Sequence, residues 1–162
     1  RPSEMGQTVA DVMTRTVLSI PETASLKELV DVIQGHHLHS IPVVDAQGML
    51  VGVVSLKDVL KVIVARYLPL HSAVSLEETP DALDDNTLEI GFERMEEMPT
   101  VQDLMTRHPK SVKPESSLLT VTVIMYMNKI HRLPVTENGK LMGIISQSDV
   151  IRTIFDSQTA KK

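Results

Sequence analysis

The chain has 162 residues, enough for one compact domain or two very small ones, and 42% of them are hydrophobic while only 2% are aromatic. The core must be built from Val, Ile, Leu and Met, and without aromatic stacking platforms the chain is a poor binder of single-stranded nucleic acid. A formal charge of −5 argues against electrostatic capture of DNA, RNA or an anionic membrane, and the lack of Cys removes disulfides, thiolate metal sites and thiol catalysis together.

In chain order the sequence states one pattern twice. It opens with Thr8-Val9-Ala10-Asp11-Val12-Met13-Thr14-Arg15, and Thr100-Val101-Gln102-Asp103-Leu104-Met105-Thr106-Arg107 repeats six of those eight residues. A short apolar strand is expected next, over Val17–Ile20 and again near Ser111-Val112. A helix then starts at Ser25 with Leu26, Leu29, Val30 and Ile33 on one face, and Gly35 is its expected stop. Its counterpart carries Leu118, Val121 and Met125. Two strands follow, Ile41–Val44 and Leu50–Val54, joined by the turn Asp45-Ala46-Gln47-Gly48. In the second copy the turn is Glu137-Asn138-Gly139, a strong hairpin signal. A last helix begins near Ser55 with Leu56, Val59, Leu60 and Ile63 on one face, matched by Val150, Ile151 and Ile154. Each copy is thus expected to be β-α-β-β-α, over 8–64 and 100–155. One such unit is marginal alone, so the two should share a core.

Between the copies, residues 65–99 hold nine acidic side chains against Arg66 and Arg94. They are expected to form a solvated acidic linker, with a short helix over Thr87–Met98 that places Leu88, Phe92 and Met95 on one face. No apolar run reaches the length of a membrane span, and the chain's first residues carry no secretory-leader pattern. The expected location is the cytoplasm, without membrane insertion.

Three features occur in both copies: the openings Asp11-Val12-Met13-Thr14 and Asp103-Leu104-Met105-Thr106, the strands Ile41-Pro42-Val43-Val44 and Leu133-Pro134-Val135, and the closings Gly52-x-x-Ser55-x-x-Asp58 and Gly143-x-x-Ser146-x-x-Asp149. With these the chain resembles a tandem pair of CBS domains, the motif named after cystathionine β-synthase. The resemblance implies an α/β (α+β) fold of two repeats about a pseudo-twofold axis, with two clefts that bind AMP, ADP, ATP or S-adenosylmethionine. It also implies a disc-shaped homodimer that regulates an attached or associated enzyme, channel or transporter.

The closing motif has a chemical reading of its own. Gly52 lets another backbone or a ligand come close. Ser55 can cap the helix that follows, whose N-terminus suits a phosphate. Asp58, one turn on, can accept both hydroxyls of a ribose. The same residues also make a capping box that needs no ligand. Arg132, next to His131, has the uncharged Ser40 as its counterpart, while Lys57 has Ser148, so the two clefts differ. By the resemblance, Thr16-Val17-Leu18 and His108-Pro109-Lys110 meet the adenine edge. Pro109 offers no N–H there. Ile41 and Leu133, with Pro42 and Pro134 beside them, wall the base or simply pack in the core.

His36, His37 and His39 invite a metal reading, but only His39 recurs (as His131) and no carboxylate is adjacent, so no metal is expected. No nucleophile elbow, Walker loop or Gly-rich dinucleotide loop is present, and no catalysis and no catalytic cofactor are expected. The expected function is an adenine-nucleotide sensor. The alternatives are a structural dimerisation module with empty clefts and a sensor of S-adenosylmethionine or Mg²⁺.

Overall fold

The computed structural model of the protein describes residues 6–67 and 99–159, the side chains of 65–67 and 157–159 excepted. The helix expected at Thr87–Met98, and most of the acidic segment with it, lies outside the described residues.

The first copy comprises α1 (Val9–Val12), β1 (Ile20–Pro21), α2 (Leu26–Gly35), β2 (Ser40–Val44), β3 (Leu50–Ser55) and α3 (Leu56–Tyr67). The second comprises α4 (Val101–Leu104), β4 (Thr106–Arg107), α5 (Leu118–Asn128), β5 (Arg132–Glu137), β6 (Lys140–Ser146) and α6 (Gln147–Thr159). This is the expected mixed α/β class. One sheet has the order β1-β2-β3-β4, and β5 and β6 form a second, antiparallel pair.

Two compact units form, and they do not coincide with the two copies. Unit one gathers residues 1–19, 44–51 and 108–162; unit two gathers 20–43 and 52–107. Each copy's opening segment thus belongs with the other copy's closing strand. In unit one, the Thr14 N–H donates to the Ile144 carbonyl and the Ile144 N–H to the Thr14 carbonyl, both at 2.9 Å. In unit two, β4 pairs antiparallel with β3, Gly52 opposite Arg107 and Val53 opposite Thr106. The core of unit one is correspondingly mixed: Val9 and Met13 pack with Val112, Leu118, Val121, Met125, Leu133, Val135, Ile145 and Val150. In unit two, Val101 and Met105 are buried with Ile20, Leu26, Leu29, Ile33, Ile41, Val43, Val54 and Val59.

The first strands are shorter than expected. Val17–Ser19 are outside any strand and β1 is only Ile20–Pro21, while Val112 forms a single parallel bridge to Val135. Thr14 has already spent its backbone groups on Ile144, and Leu18 is exposed, so no ladder and no apolar alternation hold the intervening residues extended.

The helices start where the caps lie. The Ser25 hydroxyl accepts from the Glu28 N–H at 3.1 Å while the Glu28 carboxylate accepts from the Ser25 N–H at 2.8 Å, a reciprocal box. The Ser117 hydroxyl accepts from the Thr120 N–H at 3.1 Å. In each short opening helix an Asp reaches back to its Thr: Asp11 accepts from the Thr8 N–H at 2.9 Å and hydroxyl at 3.1 Å, as Asp103 does from Thr100. The backbone and then the side-chain hydrogen bond of Thr8 hold the Asp11 carboxyl below its ordinary value.

Helix ends differ from expectation in one respect. Gly35 is the last helical residue of α2, not its left-handed terminator. That conformation falls on His37 (φ 53°) and on its counterpart Lys129 (φ 54°). The next residues, Leu38 and Ile130, then donate back to Ile33 and Met125 at 3.0 Å, closing both helices alike. Two residues expected on inward faces, Leu60 and Ile151, are instead 60% and 55% exposed. Val59 and Val150 point inward, and both exposed residues sit at the edge of that arc. The Asn138-Gly139 turn has positive φ at both residues (50° and 81°), as the tight hairpin requires.

Gly143 and Gly52 are needed for the exchange. A Cβ on Gly143 would stand 2.9 Å from the Thr14 carbonyl oxygen and 2.8 Å from Met13 Sδ; one on Gly52 would stand 3.0 Å from the Thr106 carbonyl and 2.5 Å from Met105 Sδ. The methionines can shift but the paired carbonyls cannot without breaking the ladder. Gly143→Ala and Gly52→Ala should each cost about 1–3 kcal/mol, read as a lower urea midpoint with unchanged slope. Lys129→Gly should act in the opposite direction. It relieves a left-handed β-carbon and raises stability by about 1 kcal/mol in the same unfolding experiment.

Candidate functional site

β3 and β6 end at Ser55 and Ser146, and α3 and α6 begin at the next residue. At both junctions Ser and Asp cap each other. The Ser55 N–H and hydroxyl donate to Asp58 Oδ2 at 2.8 and 3.0 Å, and the Asp58 N–H reaches Ser55 Oγ at 3.4 Å. The Ser146 N–H donates to Asp149 Oδ2 at 2.9 Å and the Asp149 N–H to Ser146 Oγ at 3.2 Å. One carboxylate oxygen is therefore committed at each site. Oδ1 of each Asp has no hydrogen-bond partner among the described residues and remains an acceptor.

The junctions differ in what lies across them. In the β5–β6 ladder Arg132 is the register partner of Ser146. An open cleft of about 370 Å³ forms there, lined by His131, Arg132, Ser146, Gln147 and Ser148. The Arg132 side chain is exposed and has no hydrogen-bond or ion-pair partner among the described residues. Gln147 is held on three sides: its N–H donates to the His131 carbonyl at 2.9 Å, its Oε1 lies 3.1 Å from His131 Nδ1, and its Nε2 donates to the Ile130 carbonyl at 3.3 Å. The lining carries a cation and no carboxylate, beside the N-terminus of a 13-residue helix, a setting for an anion.

The other sequence candidates fall as follows. His108, Pro109, His131, Arg132, Leu133, Pro134, Ser146 and Asp149 all belong to unit one. His108 is exposed with φ 52°, Pro109 is half-buried, and Leu133 and Pro134 are buried, Leu133 in the core cluster. The candidates for the first cleft are divided: Thr16 (exposed) and Val17 (half-buried) lie in unit one, while Ile41, Pro42, Ser55, Lys57 and Asp58 lie in unit two. Ile41 and Pro42 are buried and Lys57 is exposed. Gln147 was not singled out in the sequence. The available signal was its counterpart, the apolar Leu56, whose N–H makes the equivalent bond to the His39 carbonyl at 3.1 Å. His36, His37 and His39 are exposed, and among the described residues no three His, Asp or Glu side chains are grouped to hold a metal ion. No helix among the described residues is long and apolar enough to cross a membrane.

Because Ser146 closes a cap, Ser146→Ala should cost about 1 kcal/mol, measured by denaturant unfolding without ligand. A helix start that loses nothing on this change would show that the cap hydrogen bond is not made in solution.

Comparison with known proteins places this geometry in context. The family model described as CBS domain matches residues 9–65 and again 101–156. The uncharacterized protein MJ1426 of Methanocaldococcus jannaschii is 27% identical over 91% of this chain and 90% of its own length. MJ0188 of the same organism is 27% identical over 98% of this chain, which spans about half (48%) of that longer protein. The crystal structure of CBSX2, a CBS-pair protein from Arabidopsis thaliana, matches with a TM-score of 0.71 at 25% identity, over 94% of this chain and 96% of that one. The structure of CBSX2 in complex with AMP matches with a TM-score of 0.69 at 26% identity, over 94% and 99%.

Proposed function

The chain belongs to the CBS domain family as a tandem pair, and from that premise we propose that it is a cytoplasmic regulatory module that binds an adenine nucleotide, AMP, ADP or ATP, and signals to an attached or associated enzyme or transporter without chemistry of its own. The observation that carries the reading is the α6 cleft, where the unpaired Arg132 is the register partner of Ser146, which caps α6 together with Asp149. Arg132 offers a planar fork to a phosphate, assisted by His131 and the start of α6. Asp149 keeps Oδ1 for ribose hydroxyls. An adenosine ligand is further supported by the AMP complex of CBSX2. A nucleotide that binds one arrangement of the repeats better than another shifts their equilibrium, and that shift is the signal.

A second reading has its own support. Asp58 and Asp149 are already employed as caps, and α5 exposes Leu119, Val123, Tyr126 and Met127. A dimerisation module with empty clefts would look the same at these residues. In either reading the chain is a homodimer, and sedimentation at micromolar concentration, with and without AMP, should show two copies.

Calorimetric titration with AMP, ADP, ATP, S-adenosylmethionine and Mg²⁺ separates the readings. We expect an adenine nucleotide to bind, and Asp149→Ala to weaken it at least about tenfold by removing charge-assisted hydrogen bonds of roughly 1.5–3 kcal/mol each. Asp58→Ala, titrated separately, reports on the first cleft. Binding unchanged in both variants would leave the two Asp residues as caps only. No binding of any nucleotide to the wild type would favour the dimerisation module.

A further inference from the structure

The three contacts of Gln147 determine more than its own position. A backbone carbonyl only accepts, so the amide group facing Ile130 is Nε2, at 3.3 Å. Oε1 therefore faces His131 Nδ1, at 3.1 Å, and Nδ1 must carry the hydrogen. In a neutral imidazole the other nitrogen, Nε2, is then a bare lone pair. It has no partner among the described residues. A lone pair repels a phosphate oxygen; an N–H attracts it. With Nδ1 held as a donor, Nε2 gains its hydrogen only when the ring becomes imidazolium.

We propose that Gln147 is a positioning residue that locks His131 in its Nδ1–H form, so that an anion is received at the ring's other nitrogen only as the ring takes up a proton. Nucleotide binding in this cleft is thereby proton-coupled. The inference rests on the nucleotide reading of the cleft and adds its regulation. Charged residues near His131 in the chain and at the start of α6 are Arg132, Lys129, Asp149 and Arg152. On β5 Arg132 is adjacent, and Lys129 lies two residues before the ring. On α6 Asp149 has one oxygen committed to the Ser146 N–H, and Arg152 stands exposed on the next turn. A bound phosphate would bring negative charge to the free ring nitrogen. The first repeat has no such device, because Leu56 stands where Gln147 does.

The test is AMP titration by calorimetry on the full chain from about pH 6 to about pH 8.5. AMP changes its own charge over this range, so each wild-type affinity is divided by that of His131→Asn at the same pH. The ratio should fall about tenfold, the value of one charge-assisted hydrogen bond. Titration in two buffers of different ionisation enthalpy should show more proton uptake for the wild type than for His131→Asn. Gln147→Leu, which copies the first repeat, frees the ring to place its hydrogen on Nε2 while neutral. It should flatten the slope and, at the alkaline end, bind AMP at least as tightly as the wild type. A merely structural role would instead weaken binding equally at every pH. Gln147→Met replaces it if thermal unfolding shows that the Leu variant is not folded. A ratio independent of pH, or parallel profiles for the wild type and the Gln147 variant, overturns the proposal and leaves nucleotide binding standing. A wild type that binds AMP at no pH overturns both.

Discussion

The architecture depends on a close backbone approach that only glycine permits. Thr14 and Ile144 exchange both backbone hydrogen bonds beside Gly143, and Thr106 and Arg107 pair with Val53 and Gly52. Each contact lets the opening segment of one copy complete the closing strand of the other. Val9 and Val101, both 0% exposed, are then buried among side chains more than a hundred residues away in one case and some fifty to eighty in the other. Burying a valine is worth roughly 1.5–3 kcal/mol. Either copy cut out as a contiguous stretch would lose that contribution and leave an unfilled slot. A repeat of some 55 residues is marginal even with its core filled, and the exchange lets each compact unit draw its core from both copies.

What the sequence reveals follows from the range of the interactions that encode each feature. The helices and hairpins are local: Ser25 and Glu28 lie one turn apart, and Asn138-Gly139 specifies its turn by its own φ angles. Both could be read from single stretches. The exchange could not, because Gly52 and Gly143 register only as strand glycines until the opposing segment is known. The same holds for the helix ends. Gly35 attracted the terminator role because glycine tolerates positive φ, yet the chain places that conformation two residues later, on His37, where the donor of Leu38 meets the Ile33 carbonyl.

The site was half legible for a sharper reason. Thr or Ser followed three residues later by Asp or Glu opens α1, α2, α3, α4 and α6, so the pattern by itself reports helix starts. The α6 junction is distinguished by Arg132 opposite Ser146, and a bulge creates that pairing. From the turn, Glu137 faces Lys140 and Thr136 faces Leu141; then Met142 is passed over and Val135 faces Gly143. Without that extra residue Arg132 would face Ile145, whose side chain points to the opposite side of the sheet and is buried in the core. A one-residue irregularity thus brings the cation to the cap. Likewise, helical spacing gives both α2 and α5 apolar outward residues, Val32 and Val123, but only α5 exposes a run of them, Leu119, Val123, Tyr126 and Met127, while Val32 is half-buried. The matching outer positions of α2 are Lys27, Asp31 and Gln34, all exposed.

On the proposed nucleotide reading, a cap that also grips a ligand has a consequence for signalling. Asp149 shares one carboxylate between Ser146, which fixes the start of α6, and whatever approaches Oδ1. Anchoring Oδ1 reduces the freedom of the carboxylate, which makes the cap bond to Ser146 less costly to keep. On that reading binding and helix-end order reinforce each other, and by linkage anything that orders α6 would tighten binding to the same degree. Thr14 pairs with Ile144, two residues before Ser146 on β6, so the opening segment of the first copy is fastened to the strand that feeds the cleft. In the proposed sensor, the two events to be connected, occupancy of the cleft and the seating of a distant part of the chain, would be separated by two residues of one β-strand.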